Sequence, residues 1–140
     1  MFKKNRIVLV FLLFFVIIGL GACSKTKFSS SEPRLVVFAS TSCPHCKKAM
    51  PELEEKIWDK YNNRVDIFVN VLNGGRFNQD RIKQGTDNNL TFESMTGQKC
   101  GFVPSWVIID GSGKVVDKSC GTEKDINVID KDLQELIDKN

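Results

Sequence analysis

The chain has 140 residues, a formal net charge of +3 and 41% hydrophobic residues. This length allows one domain of ordinary size but not two domains with separate cores. The composition excludes collagen-like, low-complexity and wholly disordered chains, and the net charge is too small to support a nucleic-acid partner.

The first 22 residues differ from the rest of the chain. A basic start at residues 3–6 is followed by an apolar run over residues 7–20, which is typical of a secretory signal. The run is shorter than the roughly 20 residues of a membrane-spanning helix. Residues 20–23, Leu-Gly-Ala-Cys, resemble the bacterial lipobox, which implies cleavage before Cys23 and lipidation of its thiol. The alternatives are an uncleaved anchor and simple secretion, and all three export the remaining chain.

Removal of residues 1–22 changes the charge and the cysteine count. Lys3, Lys4 and Arg6 are lost, so the remaining basic side chains balance the 17 acidic ones. Lipidation takes Cys23, one of 5 cysteines, out of thiol chemistry and leaves an even number. An even number in an oxidising compartment indicates disulfides. We therefore expect a protein anchored by lipid to the cell-surface or periplasmic side of a bacterial membrane.

Residues 23–33 are predicted to be the lipidated Cys and a flexible, Ser-rich tether, and residues 34–140 to be one domain. Apolar runs bounded by turn residues predict strands over residues 35–39, 65–71, 102–109 and 114–117. Helical spacing of apolar residues predicts helices over residues 45–61 and 124–139, with one or two short helices within residues 76–99. Pro51 predicts a kink near residues 47–50 of the first helix. The order predicts an α/β fold with a mixed four-stranded sheet flanked by helices.

The motif Cys43-Pro44-His45-Cys46 lies where the first predicted strand meets the first helix. Two thiols three residues apart can close a small disulfide there. Unpaired backbone N–H groups and the helix dipole favour an anionic sulfur at a helix start, so Cys43 is expected to have a pKa well below the roughly 8.5 of a free thiol. His45, the only histidine, is expected to stabilise the Cys43 thiolate further. A stabilised thiolate is a better leaving group and makes the disulfide more oxidising.

Other chemistries fit the motif less well. Zinc ribbons use two closely spaced ligand pairs, whereas Cys100 and Cys120 lie far apart in the sequence. A purely structural disulfide across so short a loop would constrain the unfolded chain little. A copper carrier requires further His or Met ligands, and the chain has no second His. Covalent haem attachment requires a His at the position of Lys47. We expect no metal and no cofactor.

From the first predicted strand onward the chain resembles the thioredoxin superfamily. The features that carry the resemblance are the apolar strand, the CxxC motif opening a helix, Pro51, and Val103-Pro104 at the start of the hairpin. The resemblance implies a minimal thioredoxin fold, βαβ followed by a β-hairpin and a C-terminal helix. It also implies that Pro104 is cis beside the CxxC pair and that the Val103 backbone pairs with an extended substrate peptide.

Some positions depart from the family pattern. Val37 stands where thioredoxins carry an acid, and Ser42 stands where they carry a Trp. Residues 72–99 are too few for the inserted helical domain of full-size DsbA proteins. The Pro-His dipeptide of the motif and Val103 before the proline are nevertheless similar to DsbA-type thiol oxidases.

Cys100 and Cys120 form a second candidate pair. If Ile109 pairs with Lys114 across the hairpin turn, Val103 lies opposite Cys120 and Cys100 comes near it. We expect a structural Cys100–Cys120 disulfide that ties the substrate loop to the sheet. The alternatives are a second redox pair that exchanges electrons with the CxxC motif, and unpaired thiols.

These features together predict a membrane-tethered, extracytoplasmic thiol–disulfide oxidoreductase acting on exported proteins with cysteines. Cys43 is expected to form the mixed disulfide, Cys46 to resolve it and His45 to tune Cys43. The residues expected to shape the docking surface are Pro44, Phe102, Val103 and Pro104. The Pro-His dipeptide favours oxidation of substrate cysteines over their reduction. We also expect a membrane or secreted redox partner that exchanges electrons with the CxxC pair. The alternatives are a reductase fed by a membrane electron donor and a non-catalytic docking module of an envelope or export complex.

Overall fold

The computed structural model describes residues 31–122 and 124–139. The predicted signal segment, Cys23 and most of the predicted tether lie outside the described residues. Within the described ranges, no helix is both long enough and apolar enough to cross a membrane.

Five strands and several helical segments alternate along the chain. The strands are β1 (Arg34–Ala39), β2 (Asp66–Val71), β3 (Lys83–Gly85), β4 (Ser105–Ile109) and β5 (Val115–Ser119). The helical segments are α1 (Pro44–Glu52), a π-helical segment (Leu53–Trp58), α2 (Asp59–Tyr61), α3 (Phe92–Thr96) and α4 (Ile126–Asp138).

The strands form one mixed sheet in the order β3-β2-β1-β4-β5. β1 pairs in parallel with β2 and antiparallel with β4, and β4 and β5 form the antiparallel hairpin. The predicted α/β class and mixed sheet are confirmed, but the prediction of four strands is wrong because β3 adds a fifth at the edge. β3 is short and polar and has no apolar pattern; its Gln84 side chain instead bonds the backbone N–H and C=O of Phe77, at 2.8 and 3.1 Å.

β1 is the central strand and is buried on both faces, as its apolar sequence predicts. Leu35, Val37 and Ala39 pack on the face covered by α1, the π-helical segment and α4. Val36 and Phe38 pack on the opposite face, in the cluster that contains Phe92 of α3. The chain leaving this fixed strand runs directly into the CxxC motif, which gives the motif a rigid base.

The first helix is continuous but changes character after Pro51. α1 ends at Glu52, and the next six residues, Leu53–Trp58, are π-helical. Proline has no N–H to donate to the preceding turn, which weakens the regular helical ladder at this point. The irregularity therefore lies after Pro51, one turn later than predicted, while Leu53 and Ile57 remain in the core.

The hairpin register differs from the prediction. Ile109 pairs with Val115 rather than Lys114, and the register shifts between Ile108 and Ile109. The Asp110 carboxylate explains the difference, because it accepts hydrogen bonds from the backbone N–H groups of Ser112 and Lys114 at 2.9 and 3.0 Å. These bonds close the turn over residues 110–114. A β-bulge then accommodates Val116, which lies between the partners of Ile108 and Ile109 in β5.

The described chain begins at the end of the sheet opposite the CxxC motif. A side chain at Gly111, in the β4–β5 turn, would collide with the carbonyl of Ser31. Arg34, the first residue of β1, pairs with Ile109 just before that turn. Cys43 follows the other end of β1, so the length of the strand separates the start of the described chain from the motif.

Candidate functional site

Cys43 is the N-cap of α1, and its backbone is extended (φ −85°, ψ 120°). Its Sγ accepts a hydrogen bond from the backbone N–H of Cys46 at 3.3 Å. Pro44 occupies the first helical turn, where a missing N–H removes no helical hydrogen bond. The sequence therefore places the Cys43 sulfur against unpaired donors of the helix start.

The Cys46 thiol and these backbone donors together determine the acidity of Cys43. Partial burial alone would raise the pKa of the Cys43 thiol. Hydrogen bonds from the Cys46 thiol and from the backbone N–H groups of Cys46 and His45 outweigh that effect, so the pKa of Cys43 lies below its ordinary value. Cys43 is therefore the more acidic thiol of the pair.

Cys46 has the opposite character. It is fully buried beneath the start of α1. Burial, followed by its hydrogen bond with Cys43 and the charge of Cys43, raises the pKa of Cys46 to about 12. A bond from the Ser40 backbone acts in the other direction but is outweighed. Both thiols are free in the structure, and one is poised to attack while the other is protected.

The loop before β4 lies against Cys43. The Cys43 thiol donates to the carbonyl oxygen of Val103 at 3.5 Å, and the Val103–Pro104 peptide bond is cis. Phe102 projects beside them with 71% of its surface exposed. Pro44 is exposed at the helix start, so the structure brings the four residues predicted for the docking surface to one end of the sheet.

His45 enters the site through its backbone. Its N–H group is among the donors that lower the pKa of Cys43. Its side chain is exposed and lines the edge of an apolar groove. The role predicted for the imidazole stays a prediction.

The groove is a cavity of about 210 Å³ beside His45 and Pro104. Its apolar lining comes from β1, α1, the π-helical segment, β4 and α4 and includes Val37, Met50, Leu53, Trp106, Ile126 and Ile129. Sequence reasoning missed this groove because its residues are scattered along the chain and read individually as core. Val37, where thioredoxins carry an acid, makes part of this lining apolar.

A charged cluster supports one wall of the groove. Lys124 lies over the ring of Trp106, with Nζ 5.6 Å from the ring centre, and its ammonium donates to Asp117 at 2.7 Å. Burial, followed by the interaction with Asp117, raises the pKa of Asp132 to about 6. Asp132 therefore takes up a proton at a higher pH than an ordinary carboxyl group does.

Cys100 and Cys120 are joined by a disulfide with a Cα–Cα distance of 5.7 Å. Their sulfurs are bonded to each other and are therefore not thiolate ligands for a metal. In residues 31–122 and 124–139, no group of three or more His, Cys, Asp or Glu side chains is arranged to hold a metal ion.

No family model matches the sequence, and no curated protein matches it. Solved structures do match. A thioredoxin-like protein in its oxidised form superposes with a TM-score of 0.62 at 18% identity, over 86% of this chain and 87% of that one. A secreted disulfide oxidoreductase of Mycobacterium tuberculosis, homologous to DsbE of E. coli, gives 0.55 at 12% identity, over 77% and 84%. The exposed lipoprotein thioredoxin of Streptococcus pneumoniae gives 0.54 at 19% identity, over 77% and 87%. The chain has the thioredoxin fold.

Alkylation of the reduced, folded chain will distinguish the two thiols. Iodoacetamide is expected to modify Cys43 with a pH midpoint below that of an ordinary thiol, because the helix-start donors stabilise its thiolate. Cys46 is expected to react only after unfolding, since it is buried and keeps its proton. Peptide mapping by mass spectrometry identifies the modified residue, and Cys43→Ser is the control that removes the fast site. Equal native-state rates at Cys43 and Cys46 would contradict the assignment.

Proposed function

We propose that the protein is a membrane-tethered, extracytoplasmic thiol–disulfide oxidoreductase that exchanges disulfides with exported proteins through Cys43 and Cys46. The observation that carries this proposal is the contrast between the two thiols. Cys43 is partly exposed and acidic, whereas Cys46 is fully buried and keeps its proton. A nucleophilic thiol paired with a protected resolving thiol is what disulfide exchange requires.

In the oxidising direction, a substrate thiolate attacks Cys43 Sγ of the Cys43–Cys46 disulfide, and Cys46 leaves and takes up a proton. The second substrate thiolate then attacks the substrate sulfur of the mixed disulfide, and Cys43 leaves as a thiolate. The substrate loses two electrons and gains a disulfide, while the CxxC pair gains two electrons. Stabilisation of the Cys43 thiolate favours this direction, because it stabilises the leaving group and the reduced form. A membrane or secreted redox partner then reoxidises the pair.

Two alternatives follow from the same geometry. In the reverse direction the reduced pair is a reductase, in which Cys43 attacks a substrate disulfide, Cys46 resolves it and a membrane donor supplies electrons. A docking module would use the exposed Phe102 and the groove to hold a partner without exchange. The intact pair of free thiols favours catalysis over docking alone.

Several observations support the location. The Cys100–Cys120 disulfide fits an oxidising compartment, and two structures that share this fold belong to a secreted oxidoreductase and an exposed lipoprotein. The described chain begins beside Gly111, at the end of the sheet opposite Cys43. A lipid on Cys23 would therefore attach the domain through the end of the sheet opposite Cys43, which leaves the Cys43 end free for exported proteins.

Activity assays in both directions test the proposal. The full chain is expected to promote oxidative refolding of a reduced, cysteine-containing model protein. Insulin reduction is measured in parallel to assay the reverse direction. Cys43→Ser should abolish activity because no mixed disulfide forms. Cys46→Ser should lose oxidative refolding because the pair cannot form its disulfide, and it should trap a mixed disulfide when Cys43 attacks a substrate disulfide such as that of insulin, because no Cys46 thiol displaces the substrate. Ser112→Ala, in the turn at the far end of the sheet, is the control with unchanged activity. Inactivity in both assays, with Cys43 still alkylated by iodoacetamide, would favour the docking module.

Lipidation is tested separately in a bacterium that processes lipoproteins. The full chain is expected to incorporate an alkyne-labelled fatty acid and to fractionate with membranes. Cys23→Ser should lose the label, because the acylated thiol is gone, while Cys43→Ser should keep it. Absence of label from the unsubstituted chain would contradict the lipid anchor and leave secretion or an uncleaved anchor.

A further inference from the structure

Residues 100–104, here called the Pro104 loop, connect the segment after α3 to the start of β4. The loop lies outside every helix and strand, yet it presents Phe102 and Val103 to the CxxC motif. The Cys100–Cys120 disulfide fixes one end of the loop to the end of β5, and Ser105 fixes the other by pairing with Phe38 of β1.

Two sulfur atoms lie against consecutive carbonyl groups of this loop. The Cys43 thiol donates to the carbonyl oxygen of Val103 at 3.5 Å. The Cys100 sulfur lies 3.5 Å from the carbonyl oxygen of Phe102, and this is a packing contact because a disulfide sulfur carries no hydrogen. The disulfide is therefore one peptide group away from the atom that Cys43 contacts.

The Cys120 side of the bridge also supports the loop. Gly121 has φ +72°, and a Cβ added to it would lie 3.1 Å from Cβ of Phe102. Gly121 thus allows the chain after Cys120 to pass directly beneath Phe102. The Val103 side chain packs between the two core clusters of the sheet. The disulfide and these contacts together determine where the Val103 carbonyl lies.

We propose that the Cys100–Cys120 disulfide is a positioning element for Cys43, holding the Val103 carbonyl against the Cys43 thiol and restraining its conversion to thiolate. A carbonyl that accepts a hydrogen bond from a thiol stabilises the neutral thiol. Breaking the bridge frees the Pro104 loop and removes this restraint, while the Cys46 thiol and the helix-start donors continue to stabilise the thiolate. The inference rests on the proposed function, since it assigns a means of regulating the same thiol. It differs from electron relay, because the atom that contacts Cys43 is a carbonyl oxygen and not a sulfur.

The experiment compares the full chain with Cys100→Ala/Cys120→Ala. With the CxxC pair reduced, the iodoacetamide rate at Cys43 is measured against pH by peptide mapping. The variant is expected to react about two- to fivefold faster at pH 6, the effect of losing a weak S–H···O contact. Equilibration with glutathione is expected to shift the Cys43–Cys46 pair toward the dithiol by a similar factor. Ile82→Ala, a core substitution beside β3 at the other edge of the sheet, controls for lost stability and should leave both measurements unchanged.

A second variant, Cys100→Val/Cys120→Ala, fills the apolar site on which the bridge packs and guards against a folding defect. Folded variants with an unchanged Cys43 pH profile and an unchanged glutathione equilibrium would overturn the proposal. If neither variant keeps the native circular dichroism, the bridge serves folding rather than positioning, and the proposal is likewise overturned. Neither readout depends on a protein substrate, so inactivity of the unsubstituted chain in refolding and insulin assays would reject the proposed function alone.

Discussion

The hydrogen bond from the backbone N–H of Cys46 to Cys43 Sγ is the interaction on which the site depends. It exists because a strand ends and a helix begins within a few residues, so that a helix start with unpaired donors faces a cysteine. The same turn buries Cys46 under the helix. One local feature of the chain thus produces both a thiol that readily ionises and a thiol that keeps its proton, and no distant charged side chain is needed to distinguish them.

The rest of the fold keeps this feature rigid and gives it a surface. β1, buried on both faces, fixes the start of the motif. The antiparallel pairing of β1 with β4 brings the Pro104 loop to the same end of the sheet, where Val103 contacts Cys43 and Phe102 stays exposed. The disulfide joins that loop to β5, and the groove adds an apolar cavity beside Pro104 and His45. A substrate that reaches Cys43 must therefore contact a surface built from both halves of the chain.

Features set by local sequence could be predicted, and those set by distant contacts could not. The buried strand β1 and the helix that opens at the CxxC motif follow from an apolar run and from cap chemistry. β3 could not be predicted, because its position depends on hydrogen bonds from Gln84 to Phe77 and on backbone pairing with β2 rather than on an apolar pattern. The hairpin register depends on how the Asp110 carboxylate closes the turn. The groove forms only when five elements meet, and single residues such as Val37 do not reveal it.

The account is tested most directly by a redox titration of the full chain in glutathione buffers, with the state of Cys43 and Cys46 determined by acid quenching and mass spectrometry. We expect one two-electron transition in which both thiols are lost together, with the Cys100–Cys120 disulfide unchanged. Because the Cys43 thiolate is stabilised, the midpoint should be more oxidising than the roughly −270 mV of thioredoxin. A midpoint at or below thioredoxin's would contradict the oxidising direction. Two thiols that stay reduced in every buffer would contradict disulfide exchange itself.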